Sequence, residues 1–131
     1  MQEGGWNTGQ CCLGLIHAVI QFVTTCSNPG TDENIKGASE VLYYIVMLSG
    51  FHEASWVGVT PLVPNTPSKE NILGYSKEIA FLVIKRRLSR HDMENFYERT
   101  PAYLNDLMRA LMGYSGKDLV SLATIKYNDI A

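Results

Sequence analysis

The chain is short of the residue patterns that most binding chemistries require. Its 131 residues hold no Cys-x-x-Cys or His-x-x-x-His clip, no Gly-x-Gly-x-x-Gly loop and no Gly-Lys-Ser/Thr. A metal ion needs ligands whose side chains converge, and nucleotide phosphates need a glycine-rich turn of backbone N–H groups. Neither need is met, so no metal and no cofactor is expected. His52-Glu53-Ala54-Ser55-Trp56 begins like a metalloprotease helix but has Trp56 where the second histidine belongs. Histidine is also scarce as a partner for a cysteine nucleophile: His17 is five positions from Cys12, about 500° around a helix, and so diverges from it. The acidic residues are scattered, without a carboxylate pair for general acid–base work. An enzyme is therefore disfavoured.

Charge is sparse too, at 18% of residues, and basic residues are nearly missing from the first half. Residues 1–68 carry one basic residue (Lys36) against five acidic ones, a balance of about −4, whereas residues 69–109 carry eight against six, about +2. This excludes a generally basic nucleic-acid coat and confines any anionic partner to Lys85, Arg86, Arg87, Arg90 and the adjoining His91. The three cysteines are an odd number. If residues 11–26 form one helix, Cys12 and Cys26 lie roughly 21 Å apart by helical rise, too far for a disulfide. Reduced thiols packed in the core of a cytoplasmic protein are the simplest account. Met1-Gln2-Glu3-Gly4-Gly5-Trp6 lacks the basic stretch of a signal peptide, and the apolar run after it is interrupted by His17 and Gln21. No membrane association is expected.

What is present is helical periodicity. The 46% hydrophobic content argues for a globular chain, and the length suits one domain spanning residues 1–131. From Gln10 to Cys26, Gln10, Gly14, His17, Gln21 and Thr24 share one narrow polar stripe and the other residues between Cys11 and Val23 are apolar. That pattern predicts a helix wrapped on nearly all sides, the centre of the domain, with half of an intermolecular interface as the alternative. Ser27-Asn28-Pro29-Gly30 ends it, and Thr31, Asp32 and Glu33 read as the cap and acidic first turn of a second helix with Gly50 just past its end. Residues 51–68, with Pro61, Pro64 and Pro67, form an irregular loop. Trp56–Thr60 alternates like a short extended piece, and Pro61-Leu62-Val63-Pro64 has polyproline-ligand spacing, although Leu62 and Val63 suit core packing better. A third helix is predicted from Ser68 to Leu88. A short helix at 89–97, a turn at Glu98-Arg99-Thr100 and a helix opened by Pro101 follow, and Ser115-Gly116-Lys117-Asp118 starts the last. The expectation is an all-α compact bundle of five or six helices.

Two surfaces stand out for function. Tyr43, Tyr44, Tyr103 and Tyr114 fall at positions expected to face outward, where tyrosine serves as an anchor for another protein. The 89–111 stretch has helix-turn-helix proportions, with Tyr103, Asn105 and Arg109 projecting from its second helix and the basic cluster placed for phosphates. Glu94, Glu98 and Asp106 count against nucleic acid there. The favoured reading is a non-enzymatic protein-interaction module, an inhibitor, adaptor or assembly subunit, with self-association among its options. A nucleic-acid-binding regulator using residues 85–111 is the alternative.

Overall fold

In the computed structural model, which describes residues 8–52, 66–85 and 90–130, five helices follow one another: α1 (Thr8–Thr25), α2 (Asp32–His52), α3 (Lys69–Lys85), α4 (Arg90–Ser115) and α5 (Leu119–Ile130). No strand occurs among the described residues, and the expected extended piece and polyproline-like stretch lie outside them. Helices α1 and α4 each pack on both α2 and α3, so four helices close a ring in the order α1, α2, α4, α3, and α5 leans on α2 from outside with a lighter touch on α4. The all-helical bundle expected from the sequence is the fold.

Local chemistry sets most helix ends. Thr31 Oγ1 accepts the Asn34 N–H at 3.3 Å, Ser68 Oγ accepts the Asn71 N–H at 3.2 Å, and Asp118 Oδ1 accepts the Ser121 N–H at 2.7 Å, each meeting a donor left bare at a helix start. The last of these corrects the cap of α5, which is Asp118 and not Ser115. Ser115 instead closes α4, its hydroxyl donating to the Leu111 carbonyl at 2.5 Å. Gly116 follows with φ of 72°, a left-handed geometry that suits glycine, and donates its N–H to the Met112 carbonyl at 3.0 Å. Gly50 does not end α2, which continues to His52.

The larger correction is at α4. The turn expected at Glu98-Arg99-Thr100 is absent, and one helix runs from Arg90 to Ser115 with Pro101 inside it. Proline removes one backbone hydrogen bond and crowds the carbonyl four residues earlier, a penalty of about 3 kcal/mol. Packing carries the helix through. Thr100, Leu104, Leu107 and Leu111 stand at spacings of four, three and four and are at most 1% exposed, one unbroken stripe across the proline.

The core is filled by Leu15, Val19 and Phe22 of α1, Ile45 and Leu48 of α2, Ile72 and Ile79 of α3, and the leucines of α4, all essentially inaccessible. Phe22 reaches across the ring to meet Tyr114 edge to face, with centroids 6.1 Å apart. Helix α1 is one wall of this ring. It is not wrapped on nearly all sides as its sequence suggested: Leu15, Val19 and Phe22 are buried on its inner side, while apolar Leu13 and Ile20 face outward with His17, Gln21 and Thr24, because of the described helices only α2 and α3 pack along it. Gly14, assigned to the polar stripe, instead lies under Tyr44 of α2. A Cβ there would clash with the edge of the tyrosine ring, so glycine permits the α1–α2 approach.

Candidate interaction surface

The four tyrosines expected to project do not. All are half-buried, and each leans on a neighbour. Tyr44 covers Gly14 and meets Tyr43 edge to face at 5.2 Å, Tyr103 lies against Tyr75 of α3 at 6.0 Å, and Tyr114 packs on Phe22. Burial raises the hydroxyl pKa of Tyr44, Tyr75 and Tyr114, which fits rings used for packing. Helical spacing misplaced them because tyrosine is amphipathic and can put its ring inward with only its tip in water.

Of the residues proposed to meet anions, Arg86 and Arg87 lie outside the described residues, as do the side chains of Lys85, Arg90 and His91, whose backbones end α3 and begin α4. Asn105 and Arg109, four apart, share one side of α4, and Tyr103 is turned away toward α3. Arg109 lies 3.6 Å from the Asp106 carboxylate, which offsets its charge. Asn105 Oδ1 and Arg109 Nε are buried without a hydrogen-bond partner, and an exposed acceptor-free cationic fork, as phosphate binding needs, is not what these side chains form. With α4 continuous, the helix-turn-helix geometry is not built.

Cys11, Cys12 and Cys26 are free and buried. Burial pushes the Cys12 and Cys26 thiols up to about 11; Cys11 adds to the push on Cys12, and Lys69 and Asn34 oppose it at Cys26. At neutral pH all three remain protonated thiols, poor nucleophiles and poor ligands. No group of three metal-ligating side chains occurs among the described residues. No helix among them is long and apolar enough to cross a membrane.

The feature that sequence reasoning missed is the junction of α2 and α5. Helix α5 crosses α2 beside Ser39, leaving a notch on either side. One, about 490 Å³, is edged by Asp32, Lys36, Asn128 and Asp129. The other, about 200 Å³, is apolar, walled by Leu42, Tyr43 and Val46 of α2 and by Ala123, Tyr127 and Ile130 of α5. Within it Val46, Tyr127 and Ile130 are 59%, 67% and 61% exposed. Lys126 forms its polar edge. It is ion-paired with Glu40, 3.8 Å from Asp129 and 5.0 Å above the Tyr43 ring centre, and the hydrogen bond to Glu40 raises its pKa. Among the described residues the groove is thus apolar, with its one cation already satisfied. The signal for it was present: after Asp118, apolar residues fall on both sides of a short helix, Leu119 and Leu122 inward, Val120, Tyr127 and Ile130 outward. A helix with apolar residues on both sides covers one surface and offers another.

No protein-family model matches the chain, and no curated protein or solved structure gives a significant match. The function therefore has to be read from the surface itself.

Proposed function

We propose that this chain is a non-enzymatic protein-interaction module, an inhibitor, adaptor or assembly subunit, that docks its partner in the apolar groove between α2 and α5. The observation that carries this reading is the cluster of Val46, Tyr127 and Ile130, three large apolar side chains left more than half exposed around one concavity. Other apolar side chains such as Leu13 and Phe81 are exposed as well, but these three are gathered around one concavity, and it is a contiguous apolar patch that marks a contact site. The groove's shape and lining suit the apolar face of an amphipathic helix, which places anchors at spacings of three and four residues.

Affinity capture from the native source tests the proposal when the wild-type chain is compared with Val46→Glu and with Leu13→Glu. Leu13, an apolar residue on α1 outside the groove, is even more exposed than Val46. The expected result is a partner retained by the wild type and by Leu13→Glu and lost on Val46→Glu. Retention on Val46→Glu, or loss on Leu13→Glu alone, would reject the groove.

A further inference from the structure

We infer that a second copy of this chain docks on this face, its α5 lying antiparallel against the first copy's α5. The inference rests on the groove being a docking surface and names what docks there.

Helix α5 carries on its outer side the element that such a surface takes. Val120, Ala123, Tyr127 and Ile130 follow spacings of three, four and three, the seam by which one helix packs on another. Val120 is 75% exposed and, being seven residues from Tyr127, continues the exposed side of the groove toward the start of the helix. The seam reads identically in either direction. Under a two-fold axis Val120 of one copy faces Ile130 of the other, and the small Ala123 faces the large Tyr127. That pairs a hole with a knob on both sides of the axis, the self-complementarity that an isologous contact demands.

Charge and area agree. Among the described residues the seam is flanked by Thr124 and Asn128 on one side and by Lys126, already paired with Glu40, on the other, so two copies meet without apposing unpaired like charges. Complementary charges help select a heterologous partner, and the one cation among the described residues lining this groove, Lys126, is already held by Glu40 and Asp129 of the same chain. Val46, Val120, Tyr127 and Ile130 leave on the order of 500 Å² uncovered, near the top of what a monomer shows in one patch. Two copies would bury on the order of 1,000 Å², the size at which a specific interface begins. The dimer is accordingly weak, with a dissociation constant on the order of micromolar or above.

Sedimentation of the full chain between about 1 and 300 µM is the test, because an equilibrium dimer grows with protomer concentration. The mass should rise from 14.6 kDa toward twice that value. Val120→Glu alone and Ile130→Lys alone should each hold the chain at the single-copy mass, since each buries an unpaired charge on both sides of the axis. Mixing the two variants should restore the dimer. The introduced carboxylate of one copy then meets the introduced ammonium of the other, while the native Ile130 and Val120 stay paired across the axis. Recovery on mixing also shows that both variants are folded. A wild-type chain that stays at one-copy mass, a dimer that survives both substitutions, or variants that fail to recover when mixed would each overturn the antiparallel α5 pairing. A monomer that still loses a captured partner on Val46→Glu would sink the dimer and leave the groove standing.

Discussion

Helix α2 has two seams. Along α1 it is sealed: Gly14 lets the Tyr44 ring lie on the α1 backbone, Gly37 brings α2 close to Phe22, and Asn34 ties the intervening turn by donating to Thr25 Oγ1 and accepting from the Gly30 N–H, both at 3.0 Å. Along α5 the same helix is half open. Leu122 is the one fully covered side chain that α5 contributes, and beside the crossing Val46, Tyr127 and Ile130 stay in water. The difference separates two uses of apolar surface on a single helix, one spent on making the fold and the other held back for contact. If that division is right, substitutions on the two seams must differ in what they change.

The largest effect is expected at the sealed seam. Phe22→Ala empties the centre of the ring and removes the edge contact with Tyr114. Its cost should be about 3–5 kcal/mol of unfolding free energy, read from urea denaturation. A loss under about 1 kcal/mol would mean that the core is not closed around this ring.

Next in size, taken one thiol at a time, is an alkaline transition. The Cys12 and Cys26 thiols sit at about 11 in the folded chain against 9.0 for a free thiol. Between those values the unfolded chain releases protons that the folded chain retains, so stability is full below pH 9 and falls as pH rises toward 11. Each thiol contributes roughly 2–3 kcal/mol to that fall. The raised hydroxyls of Tyr44, Tyr75 and Tyr114 act in the same direction. Melting temperature followed from pH 8 to 11 should drop, and less steeply in Cys12→Ala than in the wild type. A flat profile would place these thiols in water and unseal the α1 side of the comparison.

Asn34→Ala should cost about 1–3 kcal/mol, because it removes both hydrogen bonds of a fully buried side chain, the one it donates to Thr25 Oγ1 and the one it accepts from the Gly30 N–H. Substituting Ala at Ser68, an exposed cap, should cost about 1 kcal/mol or less. Equal losses at the two positions would show that the turn is not clamped.

These residues also mark how far the sequence could be read. Helical spacing placed every described helix along the chain, though it split α4 in two and covered α1 on more sides than the fold does, since a stripe of apolar residues at three and four leaves few alternatives to a helix. It failed where a residue's role depends on a neighbour distant in sequence. Asn34 looks like any polar residue in a first helical turn until Thr25 folds back onto it. Gly14 fell on a polar stripe by angle, and only the approach of Tyr44 reveals why it is small. Thr100-Pro101 is a sound start signal that the unbroken stripe through Leu104, Leu107 and Leu111 overrode. The groove was the least legible feature, because α5 meets α2 across more than eighty residues of chain, and which of its two apolar sides is covered follows from packing alone.

The smallest expected effect is the sharpest discriminator. Val41 and Val46 belong to the same helix, five residues apart; Val41 is wholly buried and Val46 lies open in the groove. The change Val→Thr keeps the shape of the side chain and its branching, so helix propensity hardly moves, and exchanges one methyl for a hydroxyl. At Val41 that hydroxyl enters the core and should cost about 1–3 kcal/mol, less if it bonds back to the carbonyl of the preceding turn. At Val46 it meets water, and unfolding free energy should move by no more than about 0.5 kcal/mol. Denaturation curves of the two variants, collected side by side at a concentration that keeps the chain in single copies, measure the contrast directly. A loss at Val46 matching that at Val41 would mean that the α2–α5 groove is covered in solution by the chain's own residues, and the surface held back for contact would not exist.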